Sequence, residues 1–291
     1  MVDEIKGLNK NATRMLTGLV FGTTVMLGVL EGKLLLLGIL WVILFFAAKE
    51  YVQILNHKGF YPSLKMMYIA NVVFGIIAFY KNFDLFAIAL NLFAICAFMW
   101  VLFRGRQPYI ANVATTLLGM VYCSWFPLHL LFLRNTGNMQ LNDGFLYIFV
   151  MVLSIFLTDT GCYYIGRHFG KHKLSPVISP NKTVEGSIGG VVFGIAAALL
   201  FGISFGFQWY HALFIGIICT TFAQIGDLCE SMLKRDAGVK DSGDILPGHG
   251  GFLDRCDSYI LTIPVMYYYC NYFIVNTEWM NTVATFFAGL F

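Results

Sequence analysis

Charged side chains are scarce in this 291-residue chain, at 12% of residues against roughly a quarter in soluble domains. Hydrophobic residues make up 58%, and the mean hydropathy is +0.72. So little polar surface could not cover so much apolar side chain around one water-soluble core. Net charge is low as well, at +3, which argues against a nucleic acid or other polyanion as partner. Seven cysteines are present but no two form a C-x-x-C pair, so neither a disulfide scaffold nor a cysteine zinc site is indicated. H-E-x-x-H, G-x-x-x-x-G-K-[ST] and G-x-G-x-x-G are also missing. No leader-type cleavage site follows the first apolar run, so that run is expected to stay in the mature protein. A polytopic membrane protein is the class that survives these exclusions.

Long apolar runs are what the chain has in abundance. A membrane-crossing helix needs about 20 mostly apolar residues. Nine such stretches lie near 15–31, 33–49, 64–80, 83–103, 109–127, 144–165, 183–207, 209–230 and 257–275. The first two meet in a tight turn at Glu31-Gly32-Lys33, and the apolar residues from Trp279 onward read as an interfacial tail. With the N-terminus in the cytoplasm, 16 of the 19 basic residues fall on the cytoplasmic side, and only Lys33, Lys81 and Arg134 fall outside. The expected fold is therefore all-α, a polytopic transmembrane helix bundle of about nine spans with a cytoplasmic N-terminus. Residues 1–143 read as an N-terminal transmembrane scaffold, and 144–291 as a catalytic transmembrane domain with polar loops on the cytoplasmic side.

The polar residues are unevenly spread. Residues 158–257 hold 17 of the 35 charged side chains, in two blocks, Thr158–Gly190 and Gly226–Asp257. Asp159, Asp227 and Glu230 lie at span ends, where an ionised carboxylate costs several kcal/mol unless it is paired, hydrated or bound to metal. Asp227, Ser231 and Lys234 share one helical face, and Asp254 and Asp257 share another. Carboxylates converging at one depth call for a cation, and oxygen-only ligands suit a hard ion such as Mg²⁺. Ser179-Pro180 reads as the start of the seventh span, which would put Lys182 in its first turn, beside free backbone N–H groups suited to phosphate. Gly248, Gly250 and Gly251 around His249 make a turn that allows close backbone approach. Arg167, Lys171 and Lys173 carry no signal beyond cytoplasmic charge.

Ser231, Lys234-Arg235, Lys240-Asp241, Gly243, Leu246-Pro247-Gly248-His249-Gly250-Gly251 and Asp254-Arg255-Cys256-Asp257 follow one another at fixed spacing over 27 residues. This segment resembles the signature of the phosphatidate cytidylyltransferases, or CDP-diacylglycerol synthases. The stretch from Ser179 to Gly190 and the Asp159 segment are similar to that family too. Cys256 and Cys162 stand where an aliphatic residue or threonine, and an alanine, are more usual.

The resemblance implies an integral membrane enzyme that joins CTP and phosphatidic acid into CDP-diacylglycerol and pyrophosphate. It further implies Mg²⁺, a second cation such as K⁺, a homodimer in the bilayer, and a site on the cytoplasmic side of a bacterial inner membrane. On that footing Asp227 and Asp254 are expected as the leading metal ligands, followed by Asp257 and Glu230. Lys182, Lys234, Arg235, Lys240 and Arg255 are expected to hold phosphates. Ser231 and His249 would orient a ligand or a phosphate oxygen. Asp241 would meet a cation or the nucleotide, and Asp159, Gly250 and Gly251 would line the substrates. The alternative from another class is a secondary transporter; charges at helix ends rather than mid-membrane, and the lack of paired halves, argue against it. A different CTP-using lipid enzyme is the nearer alternative, although D-x-x-D-G-x-x-A-R is absent.

Overall fold

A computed structural model describes residues 10–138, 142–243 and 250–278, with side chains from residue 16 onward. Helices α1 (Lys10–Glu31), α2 (Lys33–His57), α3 (Leu64–Phe79), α4 (Phe83–Arg104) and α5 (Tyr109–Met120) come first. A π-helical turn over Val121–Trp125 joins α5 to α6 (Phe126–Arg134). Then follow α7 (Asp143–Phe169), strands β1 (Lys173–Ser175) and β2 (Ser179–Thr183), α8 (Val184–Ser204), α9 (Trp209–Asp236) and α10 (Leu253–Tyr269), which ends in a π-helical stretch over Cys270–Val275. Each of the nine apolar stretches is helical among the described residues. Among the described residues, six helical rods are both long and apolar enough to cross a membrane: α2, α4, α5–α6 taken together, α7, α8 and α9.

Local chemistry explains the breaks. Gly32, at φ +66°, occupies the left-handed region between α1 and α2, where a side chain would be strained. Asn82 caps α4 by accepting from the Leu85 N–H at 2.9 Å, and Gly105, at φ +63°, closes its far end. Pro127 lacks an N–H for the preceding turn, and the wide π turn just before it absorbs that lost bond.

The chain divides into two compact units. The first comprises the described residues up to Leu131 together with Ile225–Ile260. Its core is built on the buried stripe of α2 (Leu36, Leu40, Leu44, Ala47, Tyr51 and Leu55) and on Phe86 stacked on Trp125 at 3.8 Å. Lys58 at the end of α2 pairs with Asp236 at the end of α9, 2.9 Å apart. The Asn112 side chain ties the α2–α3 and α4–α5 links, accepting from the Tyr61 N–H and donating to the Arg106 carbonyl.

The second unit comprises Phe132–Gln224 and the described residues from Leu261 on. Its central feature is the seam between α7 and α8, where glycine lets backbones approach. A Cβ on Gly186 would stand 2.8 Å from the Cys162 carbonyl oxygen, and one on Gly189 would stand 2.6 Å from Ile165 Cβ. Ser154 donates to the Gly194 carbonyl across the same seam at 2.9 Å.

The fold is nearly all-α, as expected, with one addition: β1 and β2 form a small antiparallel hairpin with Lys173 opposite Thr183. In consequence the seventh apolar helix starts at Val184, not at Ser179-Pro180, and Lys182 lies in β2 rather than in a first helical turn. Thr183 is the capping residue, accepting from the Gly186 N–H at 3.1 Å. Glu185 then binds the Lys171 and His172 amides and the His172 ring, holding the hairpin against the helix start.

Candidate active site

Within the first unit, the last turns of α9 and the first turn of α10 carry the signature residues. The two helices touch at Gly226, where an added Cβ would overlap the Asp257 carbonyl oxygen. Asp227, Ser231 and Lys234 do share one face of α9, and Ser231 donates to Asp227 at 3.4 Å. Lys234 Nζ stands 2.5 Å from Glu230 Oε2 and 2.6 Å from Asp254 Oδ1. These side chains are nearly closed to solvent, at 11%, 1% and 9% exposure respectively. One ammonium thus serves two carboxylates in a region of low dielectric, where each contact is strong and each loss costly.

Asp254 has its other oxygen fully used. Oδ2 accepts from the Gly251 N–H at 2.9 Å, the Ser242 N–H at 3.1 Å and the Ser242 hydroxyl at 2.8 Å. Burial pushes the Asp254 carboxyl up, but the Lys234 ion pair and these donors outweigh it and hold the pKa at about 2. The carboxylate charge is therefore fixed before any substrate arrives. Gly250, at φ +79°, would bring a Cβ within 2.7 Å of Asp254 Oδ2. A Cβ on Gly251 would collide with the Ser242 hydroxyl and the Glu50 carboxylate. The glycines at these two positions are therefore needed to let the turn close over Asp254 and Glu50.

Glu50 was absent from the expected site. It lies on α2, fully buried, and accepts from the Phe252 N–H at 3.0 Å, the Leu253 N–H at 2.8 Å and the Ser242 hydroxyl at 3.2 Å. Phe252 and Leu253 are the first free amides of α10, so Glu50 is a charged N-terminal cap supplied by a distant helix. The Ser242 hydroxyl has a single proton, so it donates to either Glu50 or Asp254 at any moment. The available signal was an acid in an apolar helix. The predicted span ended at residue 49, whereas α2 runs on to His57 and encloses Glu50.

The remaining expected residues divide between the units. Asp257 sits on α10, its Oδ1 accepting from the Ser258 N–H at 2.6 Å. Arg235 donates to the Val239 carbonyl at 3.3 Å and holds the turn after α9. Lys240, Asp241 and Arg255 are exposed. His249 and Gly248 lie outside the described residues. Asp159 and Lys182 belong to the second unit, Asp159 exposed on α7 and Lys182 half-buried in β2. In that unit the sequence reading also missed Ser187 and Gln224, whose side chains meet at 2.5 Å.

Among the described residues no three of His, Cys, Asp and Glu stand close enough to hold a metal ion as they are. The donors nevertheless fit a hard cation. They are carboxylate oxygens, and among the described residues Glu230 Oε1 is buried with no hydrogen-bond partner while Oε2 faces Lys234. An orphaned buried carboxylate oxygen is costly unless a donor or cation meets it.

Residues 12–273 match the profile of the family described as "Cytidylyltransferase family". A phosphatidate cytidylyltransferase of Staphylococcus haemolyticus is 51% identical over 127 residues, which is 43% of this chain and 49% of the relative. One of Staphylococcus aureus is 49% identical over the same shares. The match thus spans about half the length of these staphylococcal relatives. A phosphatidate cytidylyltransferase of Synechocystis is 32% identical over 256 residues, covering 78% of this chain and 85% of the relative. The apolar helices fit an integral membrane protein. On a profile match over most of its length and this similarity, the chain belongs to the cytidylyltransferase family.

Proposed function

We propose that this chain transfers the cytidylyl group of CTP to phosphatidic acid, releasing pyrophosphate and forming CDP-diacylglycerol. The observation that carries the reading is the buried Lys234, shared by Glu230 and by an Asp254 that a glycine turn holds, within a family whose relatives bear that activity in their names. An oxygen of the phosphatidate phosphate attacks the α-phosphorus of CTP. A new P–O bond forms there as the bond to the bridging oxygen of the β-phosphate breaks. The electron pair of that bond departs with pyrophosphate. The attacking phosphate is already anionic near neutral pH, so the chain needs no strong general base; the barrier is repulsion between anions.

Lys234, Arg235, Lys240 and Arg255 are assigned to phosphate oxygens, with Lys234 oriented by Glu230 and Asp254. Asp227, Glu230, Asp254 and Asp257 are assigned to Mg²⁺, with a second cation such as K⁺ nearby. When bound, Mg²⁺ neutralises charge on the triphosphate and the leaving pyrophosphate. We further read the chain as crossing a bacterial inner membrane nine times, N-terminus in the cytoplasm, with the reaction on the cytoplasmic side and two copies forming the enzyme. The basic-residue distribution supports the orientation.

The test is incubation of purified protein with phosphatidic acid, Mg²⁺ and labelled CTP, followed by mass analysis of the extracted lipid. Labelled CDP-diacylglycerol is expected, with a fall of at least about 100-fold in Asp254→Asn, in line with the loss of one preorganised catalytic contact. Folded wild-type protein that leaves all label in the aqueous phase would refute the activity. Label appearing in a lipid other than CDP-diacylglycerol would move the assignment to another CTP-using lipid enzyme.

A further inference from the structure

A cavity of about 1140 Å³ opens in the first unit, and its lining shares no residue with the Lys234 cluster. Its walls come from the end of α2, the α2–α3 link, α3, the second half of α4 and the α4–α5 link. It exceeds the roughly 300–1,000 Å³ usual for small-molecule sites. Three cations stand around it, Lys65, Arg104 and Arg106, all exposed. Arg106 is fixed by stacking, its Cζ lying 3.2 Å over the Tyr61 ring.

Basic residues at a membrane edge are expected from topology alone. Topology does not account for the hollow beside them. That hollow is lined by Ile69, Met99 and Phe103, and Trp100 stands in its wall with a buried indole N–H that has no hydrogen-bond partner among the described residues. Arg104 Cζ stands 5.7 Å from the centre of that indole ring, so charge and donor adjoin. A buried donor without an acceptor is costly, and an acceptor supplied by a ligand would remove that cost.

Cations, one buried donor and an apolar wall together match the phosphate, ester carbonyl and acyl chain of a glycerophospholipid. We propose that this cavity binds one anionic glycerophospholipid as a resident lipid. Its phosphate would contact Lys65, Arg104 and Arg106, its ester carbonyl the Trp100 N–H, and its chain Ile69, Met99 and Phe103. The site is separate from the reacting centre, so its occupancy does not depend on Asp254.

The full chain in neutral detergent is titrated with dioleoyl phosphatidylglycerol and with dioleoyl phosphatidylcholine, and retained lipid is read by native mass spectrometry. Wild type is expected to retain one phosphatidylglycerol at about tenfold lower concentration than phosphatidylcholine, a discrimination of about 1.4 kcal/mol. The triple variant Lys65→Gln, Arg104→Gln, Arg106→Gln is expected to lose this preference. Trp100→Phe, which removes only the donor, should weaken phosphatidylglycerol retention severalfold, and Asp254→Asn should keep the wild-type preference. Equal retention of the two lipids overturns the proposal, as does a preference that survives in the triple variant, or phosphatidylglycerol retention unchanged in Trp100→Phe. Loss of the preference in Asp254→Asn also overturns it, because the lipid would then occupy the reacting centre. A second copy filling the cavity, seen as a dimer dissociated by Cys96→Trp with no change in lipid retention, overturns it as well.

Discussion

Glu50 meets Ser242 across 192 residues of sequence, and this pairing changes how the N-terminal helices are read. With three donors on one buried carboxylate, Glu50 positions the start of α10 and, through Ser242 and Gly251, the two amides and the hydroxyl that hold Asp254. Glu50→Gln keeps the shape but turns an NH₂ toward an amide donor. The expected result is a fall of at least about tenfold in kcat with KM for CTP little changed, and a stability loss of about 1–3 kcal/mol. Steady-state kinetics beside thermal unfolding in detergent checks it; unchanged kcat would remove Glu50 from the positioning role. Lys234 makes the converse case. Lys234→Met removes the one cation that two buried carboxyl groups share, and a loss of about 3–5 kcal/mol is expected. Adding Asp254→Asn should return part of that stability and none of the activity. The signature residues were legible because their chemistry lies within 27 residues at helical spacing. Glu50 was not legible, because no local pattern connects a lone acid in α2 to a turn near residue 250.

At the scale of elements, sequence and structure part where a polar strip competes with a helix start. Nine apolar stretches were legible from hydropathy, since each must bury or immerse its side chains whatever its neighbours do. The hairpin β1–β2 was not, because Ser179-Pro180 carries a good helix-start pattern. Pairing with Lys173–Ser175 and the Thr183 cap win instead, and Glu185 closes the arrangement on the Lys171 and His172 amides. The seam between α7 and α8 makes a direct prediction. Gly189→Val would drive a branched side chain into Ile165, and overpacking of that kind costs about 1–3 kcal/mol. A lowered yield of folded protein and a lower Tm are expected, with the Lys234 cluster untouched in sequence. The turn over Asp254 sets a pH window as well. Its folded pKa of about 2 lies below the usual 3.8, so the contribution is fully present above pH 4 and is lost as pH falls toward 2. Asp254→Asn should therefore flatten the loss of Tm between pH 4 and pH 2.

At the scale of the whole molecule, the helices divide by how their side chains meet their surroundings. Across its most apolar window α4 buries only 22% of its residues within the protein, whereas the α5–α6 rod buries 72%. The first leaves most of its apolar side chains outside the fold and the second packs most of them inside it, so both read alike in hydropathy and only the structure separates them. Orientation follows from charge rather than from apolarity. Lys81, at the turn between α3 and α4, is one of three basic residues assigned to the outer side, while Lys58, at the end of α2, is assigned to the cytoplasm beside Asp236. Two single-cysteine variants, Lys81→Cys and Lys58→Cys, each made with all seven native cysteines replaced, separate the two sides. A membrane-impermeant maleimide is expected to label Lys81→Cys in intact cells and Lys58→Cys only after permeabilisation. The reversed pattern would put the Lys234 cluster, whose helix end Lys58 touches, on the face away from CTP, and the proposed reaction could not be supplied with its nucleotide.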